Sequence, residues 1–211
     1  MKTSRKISTA LLLWFGLVWH VSAQQTLDAL AAYQSGAFEE AIRICQLELE
    51  STPRNMNSYS VLGWSLIALE RYEEALAQGL RATAVAPNDP RIVEIVAEAH
   101  FYLGNDLEAL GFFERYAVLS DTGDRIDKVY YLMGELFIRL GEYHHADASL
   151  STAVYHSPNV SAWWGRLGYA REMAKDYIYS LQAYDQALTL NPALTEAARG
   201  RARVQSLAER Q

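Results

Sequence analysis

The stretch RYEEALAQGLRATAVAPND, residues 71–89, returns in altered wording three more times: as FEEAIRICQLELESTPRN from Phe38, EYHHADASLSTAVYHSPN from Glu142 and DYIYSLQAYDQALTLNPA from Asp176. A chain that repeats in this way is confined to folds in which each copy buries its apolar face on the next. Pairs of small residues twelve positions apart set the register: Ala29 with Ala41, Gly63 with Ala75, Ala97 with Ala109, Gly134 with Ala146, and Gly168 with Ser180. Their first members lie 34, 34, 37 and 34 residues apart. The one long step puts three extra residues near Asp124, Arg125 and Ile126, in a loop between units.

Other columns keep the period. Leu62, Val96, Met133 and Leu167 precede the first small residue, and Phe38, Tyr72, Tyr143 and Tyr177 mark a turn. Ala82, Ala153 and Ala187 follow the second small residue by seven, and Pro53, Pro87, Pro158 and Pro192 close a unit. Two antiparallel helices approach closely only where side chains are small, and large apolar neighbours fill the space beside the crossing. The aromatic plugs the bend, and proline, which lacks an N–H and disfavours helix in the residue before it, ends the second helix.

Period, small residues, turn aromatic and closing proline together resemble the tetratricopeptide repeat family. The resemblance implies an all-α chain, a right-handed α-solenoid of about five helix-turn-helix units plus a capping helix. The units run over about residues 22–55, 56–89, 90–123, 127–160 and 161–194, within an array spanning 24–194, and residues 195–211 form the cap. In the first unit the leading helix is expected to be short, and Glu48 stands where alanine is usual and should loosen the packing. The third unit departs most: Asp106 replaces the turn aromatic, Tyr116 the third small residue and Asp121 the proline, so its second helix is expected to be tilted or shifted. In the cap, Ala202 holds the small-residue position, and Gly200 weakens the helix by roughly 1 kcal/mol relative to alanine.

The N-terminus follows another logic. Lys2, Arg5 and Lys6 precede the uncharged run ALLLWFGLVWHV, residues 10–21, and Val21-Ser22-Ala23 presents small side chains for cleavage before Gln24. That is the anatomy of a secretory signal peptide over residues 1–23. The run is too short for the roughly 20 residues that span a bilayer, so no stable membrane insertion is expected once it is removed. The remaining chain has 16 cations against 25 acids, a formal −9, which disfavours nucleic acid and anionic membranes. Export is expected, with a bacterial periplasm as the destination, given the compact signal and the lack of disulfide-forming pairs. The lone Cys45 sits at a core position and reads as a small buried hydrophobe.

An enzyme should show a constellation of acid, base, nucleophile or metal ligands. The chain has no glycine-rich phosphate loop, zinc-protease HExxH, serine-hydrolase elbow or cysteine pair. His144 and His145, with Asp147 nearby, form the strongest metal candidate, but a solvated helix start is the simpler reading. His100 is expected to be buried and His156 to face solvent. Asn159-Val160-Ser161 is a glycosylation sequon that matters only in a eukaryotic source. No catalysis, cofactor or metal is expected.

In the family the first helices line a concave groove that binds partners, often peptides. Aligning those positions selects Leu30, Tyr33, Trp64, Ile67, Glu94, Glu98, Phe101, Tyr102, Tyr131, Glu135, Arg139, Arg166 and Tyr169. Ile138, Glu172 and Met173 fall on the same face. Rigid aromatics suit protein binding, and Glu94, Glu98 and Glu135 are expected to form an acidic band. The partner expected is a protein or peptide with apolar anchors and a basic residue. The family's clamp for a chaperone C-terminus needs a lysine and asparagines, and Thr26, Leu30, Ser60 and Trp64 stand in their places. Beside this reading of an exported scaffold stand an accessory that binds an apolar small molecule, lipid or sugar for an envelope transporter, and a metal enzyme at the histidine pair.

Overall fold

The computed structural model describes residues 28–120 and 122–209, and these fold as eleven helices without a strand. In order they are α1 (Ala29–Gln34), α2 (Phe38–Ser51), α3 (Met56–Ala68), α4 (Tyr72–Val85), α5 (Pro90–Tyr102), α6 (Asp106–Leu119), α7 (Ile126–Arg139), α8 (Tyr143–His156), α9 (Ser161–Met173), α10 (Tyr177–Leu190) and α11 (Thr195–Ala208). Each helix packs on its neighbour in the chain. The first helices also touch in series, α1 on α3, α3 on α5 and α5 on α7, while α11 packs on α9 and α10. Five helix pairs and a closing helix make the all-α solenoid. The expected signal peptide, the start of the first unit, Thr26 and Asp121 lie outside the described residues.

The small-residue columns sit where the helices cross. Ala41, Ala75, Ala97, Ala109 and Ala146 are completely buried. A Cβ on Gly63 would lie 2.7 Å from a methyl of Ile95, and one on Gly134 would lie 2.5 Å from Cγ of Leu150. At the last crossing Ser180 donates its hydroxyl to the carbonyl of Gly168 at 2.8 Å, so the aligned pair is also a bonded pair. Leu62, Val96, Met133 and Leu167 fill the spaces beside these contacts and are buried. Phe38, Tyr72, Tyr143 and Tyr177 are each the first residue of a second helix.

The turn inside each unit adds a column that the sequence reading missed. Gly36, Gly104 and Gly141 have φ of 81°, 78° and 78°, and Glu70 and Lys175 occupy the same turn position at 59° and 64°. The left-handed residue lets the next N–H reach back into the first helix, as Ala37 does to the carbonyl of Ala32 at 2.9 Å. Glycine is the natural choice there, and a residue with a Cβ pays of order 1 kcal/mol for it.

The irregular units resolve into specific packing. Described α1 is six residues long, as expected of a short leading helix, and Asp28 caps it by accepting from the N–H of Ala31. Glu48 does not loosen α2, which runs unbroken; its carboxylate accepts the Ser58 hydroxyl at 2.5 Å. The charge is satisfied by a hydroxyl that α3 supplies. In the third unit α6 is also regular, but it makes the sparsest contact of any sequential pair, with α7. Tyr116 is buried in place of a small residue, and its hydroxyl lies against Gly123 in the connection 120–125. That connection has six residues where the other junctions have four, such as 86–89. The extra length accommodates the bulk of Tyr116.

α11 keeps the repeat spacing, since Thr195 lies 34 residues after Ser161. Ala202 is nevertheless exposed, with no second helix among the described residues to cover it. Gly200 is buried, and a Cβ there would run into the ring of Tyr184. The glycine therefore serves packing rather than merely weakening the helix.

Candidate functional site

The candidate groove residues all lie on the wall formed by the first helices, but that wall is not one continuous surface. At its N-terminal end Tyr33, Trp64 and Phe38 make a run of tilted rings, with centroids 5.6 and 6.0 Å apart, and Ile67 packs into the same cluster. A hollow of about 600 Å³ opens beside them, lined by Leu30, Trp64, Val61, Ser60, Asn57 and Arg91 among others.

The middle of the wall is closed by charge. Glu94 and Glu98, four residues apart on α5, are each only 1% exposed. Arg125, from the inserted connection, donates to Glu94 at 2.5 Å and to Glu98 at 2.9 Å, and Lys128 of α7 lies 2.5 Å from Glu98. Trp64 of α3 donates its indole N–H to the other Glu94 oxygen at 3.2 Å. Two carboxyl groups meet two cations. Burial, then the neighbouring Glu98, pushes Glu94 up to about 8. Burial acts the same way on Glu98, but the hydrogen bond with Glu94 and the charges of Lys128 and Arg125 bring it below its ordinary value. For Arg125, the two carboxylates outweigh burial and raise its pKa.

This corrects the expectation of an acidic band. Glu94 and Glu98 present no negative surface, because a buried carboxylate must be partnered and the insertion supplies the partner. Glu135, the third member, is held by Arg166 through two contacts of 2.5 and 2.8 Å. Beside the cluster, the guanidinium of Arg139 lies 4.1 Å over the ring of Phe101, whose edge meets Tyr102 at 5.1 Å. Tyr102 stacks on Tyr72 at 4.6 Å. Arg139 also approaches Asp106 at 3.2 Å, so the acid that replaced the turn aromatic in the third unit serves as an ion partner.

Toward the C-terminus the wall opens again. A second hollow, about 520 Å³, is lined by Tyr131, Arg166, Tyr169, Tyr184, Glu196, Arg199 and Arg203 among others. Ala162, Gly165 and Ala197 leave the space. Tyr131 is stacked on Trp163 at 5.0 Å, and burial with Glu135 nearby pushes its hydroxyl up to about 12. Tyr184 donates to Glu172 at 2.7 Å, and Arg203 grips the same carboxylate at 2.8 and 2.9 Å. Trp64 and Tyr131 thus line different hollows, not one shared groove. Sequence reasoning missed Arg125, Lys128, Trp163, Tyr184, Arg199 and Arg203. The three-residue step in the repeat was the available pointer to Arg125, and the extra helix after the last proline was the pointer to the arginines of α11.

Other candidates fall away from the wall. His144 and His145 are exposed, and no cluster of three metal-ligating side chains occurs among the described residues. His156 is exposed at the end of α8. His100 is half-buried, not fully buried as expected, because its ring stacks on Phe112 at 5.7 Å near the surface turn at Asn105. Cys45 is buried, which pushes its thiol up to about 12 and leaves it unreactive. No described helix is long and apolar enough to cross a membrane.

Known proteins place this architecture. No curated protein matches the sequence. Among solved structures, MamA superposes with a TM-score of 0.66 at 18% identity, covering 78% of this chain and 88% of its own. YrrB, described as a TPR protein with an unusual peptide-binding site, gives 0.68 at 16% identity over 82% of this chain and 88% of its own. The APC/C hetero-tetramer Cut9-Hcn1 gives 0.72 at 16% identity over 83% of this chain and 35% of the matched one. These likenesses concern the fold. Two family models described as tetratricopeptide repeat match residues 61–124 and 127–159, and those segments of the chain are tetratricopeptide repeats.

Proposed function

We propose that the chain is an exported, non-catalytic scaffold that holds a partner protein or peptide against its first-helix wall. The observation that carries this reading is the wall's own make-up: two hollows, one lined by Trp64 and Leu30 and the other by Tyr131, Tyr169 and Tyr184, flanking a centre already closed by its own charges. Anchoring side chains of a partner need such hollows, and aromatic walls give large contact area at low entropic cost. The fold shared with YrrB, itself described as having a peptide-binding site, supports the same direction. The basic feature expected of the partner loses its basis with the acidic band. Export rests on residues 1–23, and a bacterial periplasm is the compartment that suits them best.

Capture with the full chain as bait tests the reading. Leu30→Arg and Ala162→Trp, both at exposed positions, fill the mouths of the two hollows. A double variant that melts like the parent should lose the captured partner; full capture by such a variant would move the interface off this wall. Export is checked by the mass of the chain recovered outside the cytoplasm, which should begin at Gln24.

The hollow sizes favour a second reading, since cavities of about 300–1,000 Å³ take small ligands. In that case the chain serves as an accessory for an apolar molecule, lipid or sugar. Native mass spectrometry would then show a bound molecule that disappears in the Ala162→Trp or Leu30→Arg variant.

A further inference from the structure

The C-terminal hollow is lined by three arginines, and one of them has no ion partner among the described residues. Arg166 spends its Nε and one Nη on Glu135, and Arg203 does the same on Glu172. A guanidinium has five N–H donors, so each keeps a further amino group outside that contact. Arg199, the third arginine of the lining, makes no ion pair among the described residues, although its neighbours Arg201 and Arg203 each do. Around them the hollow supplies aromatic rings and small apolar residues, with Glu196 the only carboxylate of the lining. Donors therefore exceed acceptors, and the surplus is concentrated at Arg199. At the centre of the wall Glu94 and Glu98 are met by Arg125 and Lys128, and nearby Arg91 by Asp89 and Arg139 by Asp106, while Asp28 and Glu48 of the N-terminal hollow are held by the Ala31 N–H and the Ser58 hydroxyl.

We infer that this hollow takes the carboxylate side chain of an aspartate or glutamate in a bound peptide, seated on Arg199, with an adjacent apolar or aromatic side chain against Tyr131 and Tyr169. The inference rests on the scaffold reading above and names the chemistry of one of its two hollows. A carboxylate accepts from two N–H groups of one guanidinium at once, a planar match that a hydroxyl or amide cannot make as well. The mouth is flanked by α7 on one side and α11 on the other, so an extended segment can pass across it. The occupant assigned to the hollow is an internal acidic residue of such a segment.

Acetylated and amidated hexapeptides with a central Glu-Phe, Gln-Phe or Lys-Phe pair supply a carboxylate only from the side chain. Binding to the full chain is read by chemical-shift titration. The Glu-Phe peptide should bind about tenfold more tightly than the Gln-Phe peptide. Arg199→Gln should erase that preference while leaving the weaker binding of the Gln-Phe peptide unchanged. Glu196→Gln should sharpen the preference, since it removes the opposing charge. Ala162→Trp should abolish binding of all three peptides in a chain that melts normally.

Equal affinity for the Glu-Phe and Gln-Phe peptides, or a preference that survives Arg199→Gln, would overturn the inference. So would binding confined to a peptide with a free C-terminal carboxylate. The scaffold reading fails separately, when partner capture is untouched by the double variant that fills both hollows. Capture lost in that variant but unchanged in Arg199→Gln leaves the scaffold standing and removes the carboxylate.

Discussion

The middle and the C-terminal end of the wall are built from the same ingredients, a glutamate on one first helix and a cation from the following unit. Glu94 and Glu98 meet Arg125 and Lys128; Glu135 meets Arg166, and Glu172 meets Arg203. The outcomes differ because of depth. The middle carboxyl groups are sealed to 1% exposure, whereas the end pairs frame a hollow open to solvent. A buried carboxylate that loses its partner has no water to fall back on, while the end carboxylates, Glu135 at 18% and Glu172 at 10% side-chain exposure, keep some access to water in their partner's place. Depth, more than residue type, separates the part of the wall that holds the array together from the part available to a ligand.

The largest test of that contrast removes the inserted arginine. Arg125→Ala leaves Glu94 and Glu98 with Lys128 alone, and should cost about 3–5 kcal/mol, the range for breaking a buried pair. Urea unfolding at neutral pH measures it. The loss should concentrate where α6 and α7 already touch least, and protection of backbone amides in α7 should fall before that in α3. A loss below about 1 kcal/mol would mean that the middle cluster behaves like the exposed pairs.

This contrast also marks where the sequence stopped being informative. Helix pairs, crossing points and the closing helix were legible because they follow from period: a small residue every 34 positions must be a close approach. Register puts Leu30, Trp64, Tyr131 and Tyr169 on one face of the first helices, and it was the family resemblance, not the period, that marked that face as a groove. What could not be read was whether a glutamate on that face is surface or core. Glu98 and Glu135 stand in the same column of the alignment, and only Arg125 decides between them. It comes from an insertion, which a periodic pattern treats as noise. Gly200 was misread on the same ground, because helix propensity is local while the ring of Tyr184 arrives from another helix. Glu70 and Lys175 hid the turn column by standing where glycine would have revealed it.

At the open end, Gly200→Ala is the next test in size. Propensity alone predicts a gain of up to about 1 kcal/mol. The new methyl would meet the Tyr184 ring at positions that include Cε1 at 2.7 Å, and that ring is buried and tied to Glu172. Overpacking of this kind costs about 1–3 kcal/mol, so a net loss is expected in thermal or urea melts. The hollow should also change shape, because Tyr184 forms part of its lining. An increase in stability would show that the ring moves freely, and that the end of the wall is looser than its contacts imply.

The pH dependence of the middle cluster offers a finer test. Glu94 titrates near 8 in the fold, against an ordinary value of 4.5. A raised value means that the fold retains a proton the unfolded chain has released. The contribution is complete below about pH 4.5 and is lost as pH rises through 8. Glu98, whose value is lowered, works in the opposite sense and loses its contribution as pH falls through its folded value. Glu94→Gln should therefore flatten the fall in urea midpoint between about pH 6 and pH 9 relative to the parent. A parallel fall in both proteins would assign the alkaline loss to other groups.

The smallest effect is expected from Glu135→Gln. This removes the anion of an end pair while keeping its shape, and Arg166 remains in contact with water at the hollow's mouth. The cost to stability should stay within about 1 kcal/mol, far below that of Arg125→Ala. The charge balance of the hollow shifts instead, since Arg166 is no longer neutralised and joins Arg199 as an open cation. Affinity for the blocked Glu-Phe peptide should rise while that for the Gln-Phe peptide stays level. Such a result would separate the two halves of the contrast cleanly, because breaking an ion pair costs stability at the centre and alters recognition at the end. A stability loss equal to that of Arg125→Ala would instead make the end pairs structural, and depth would no longer distinguish them.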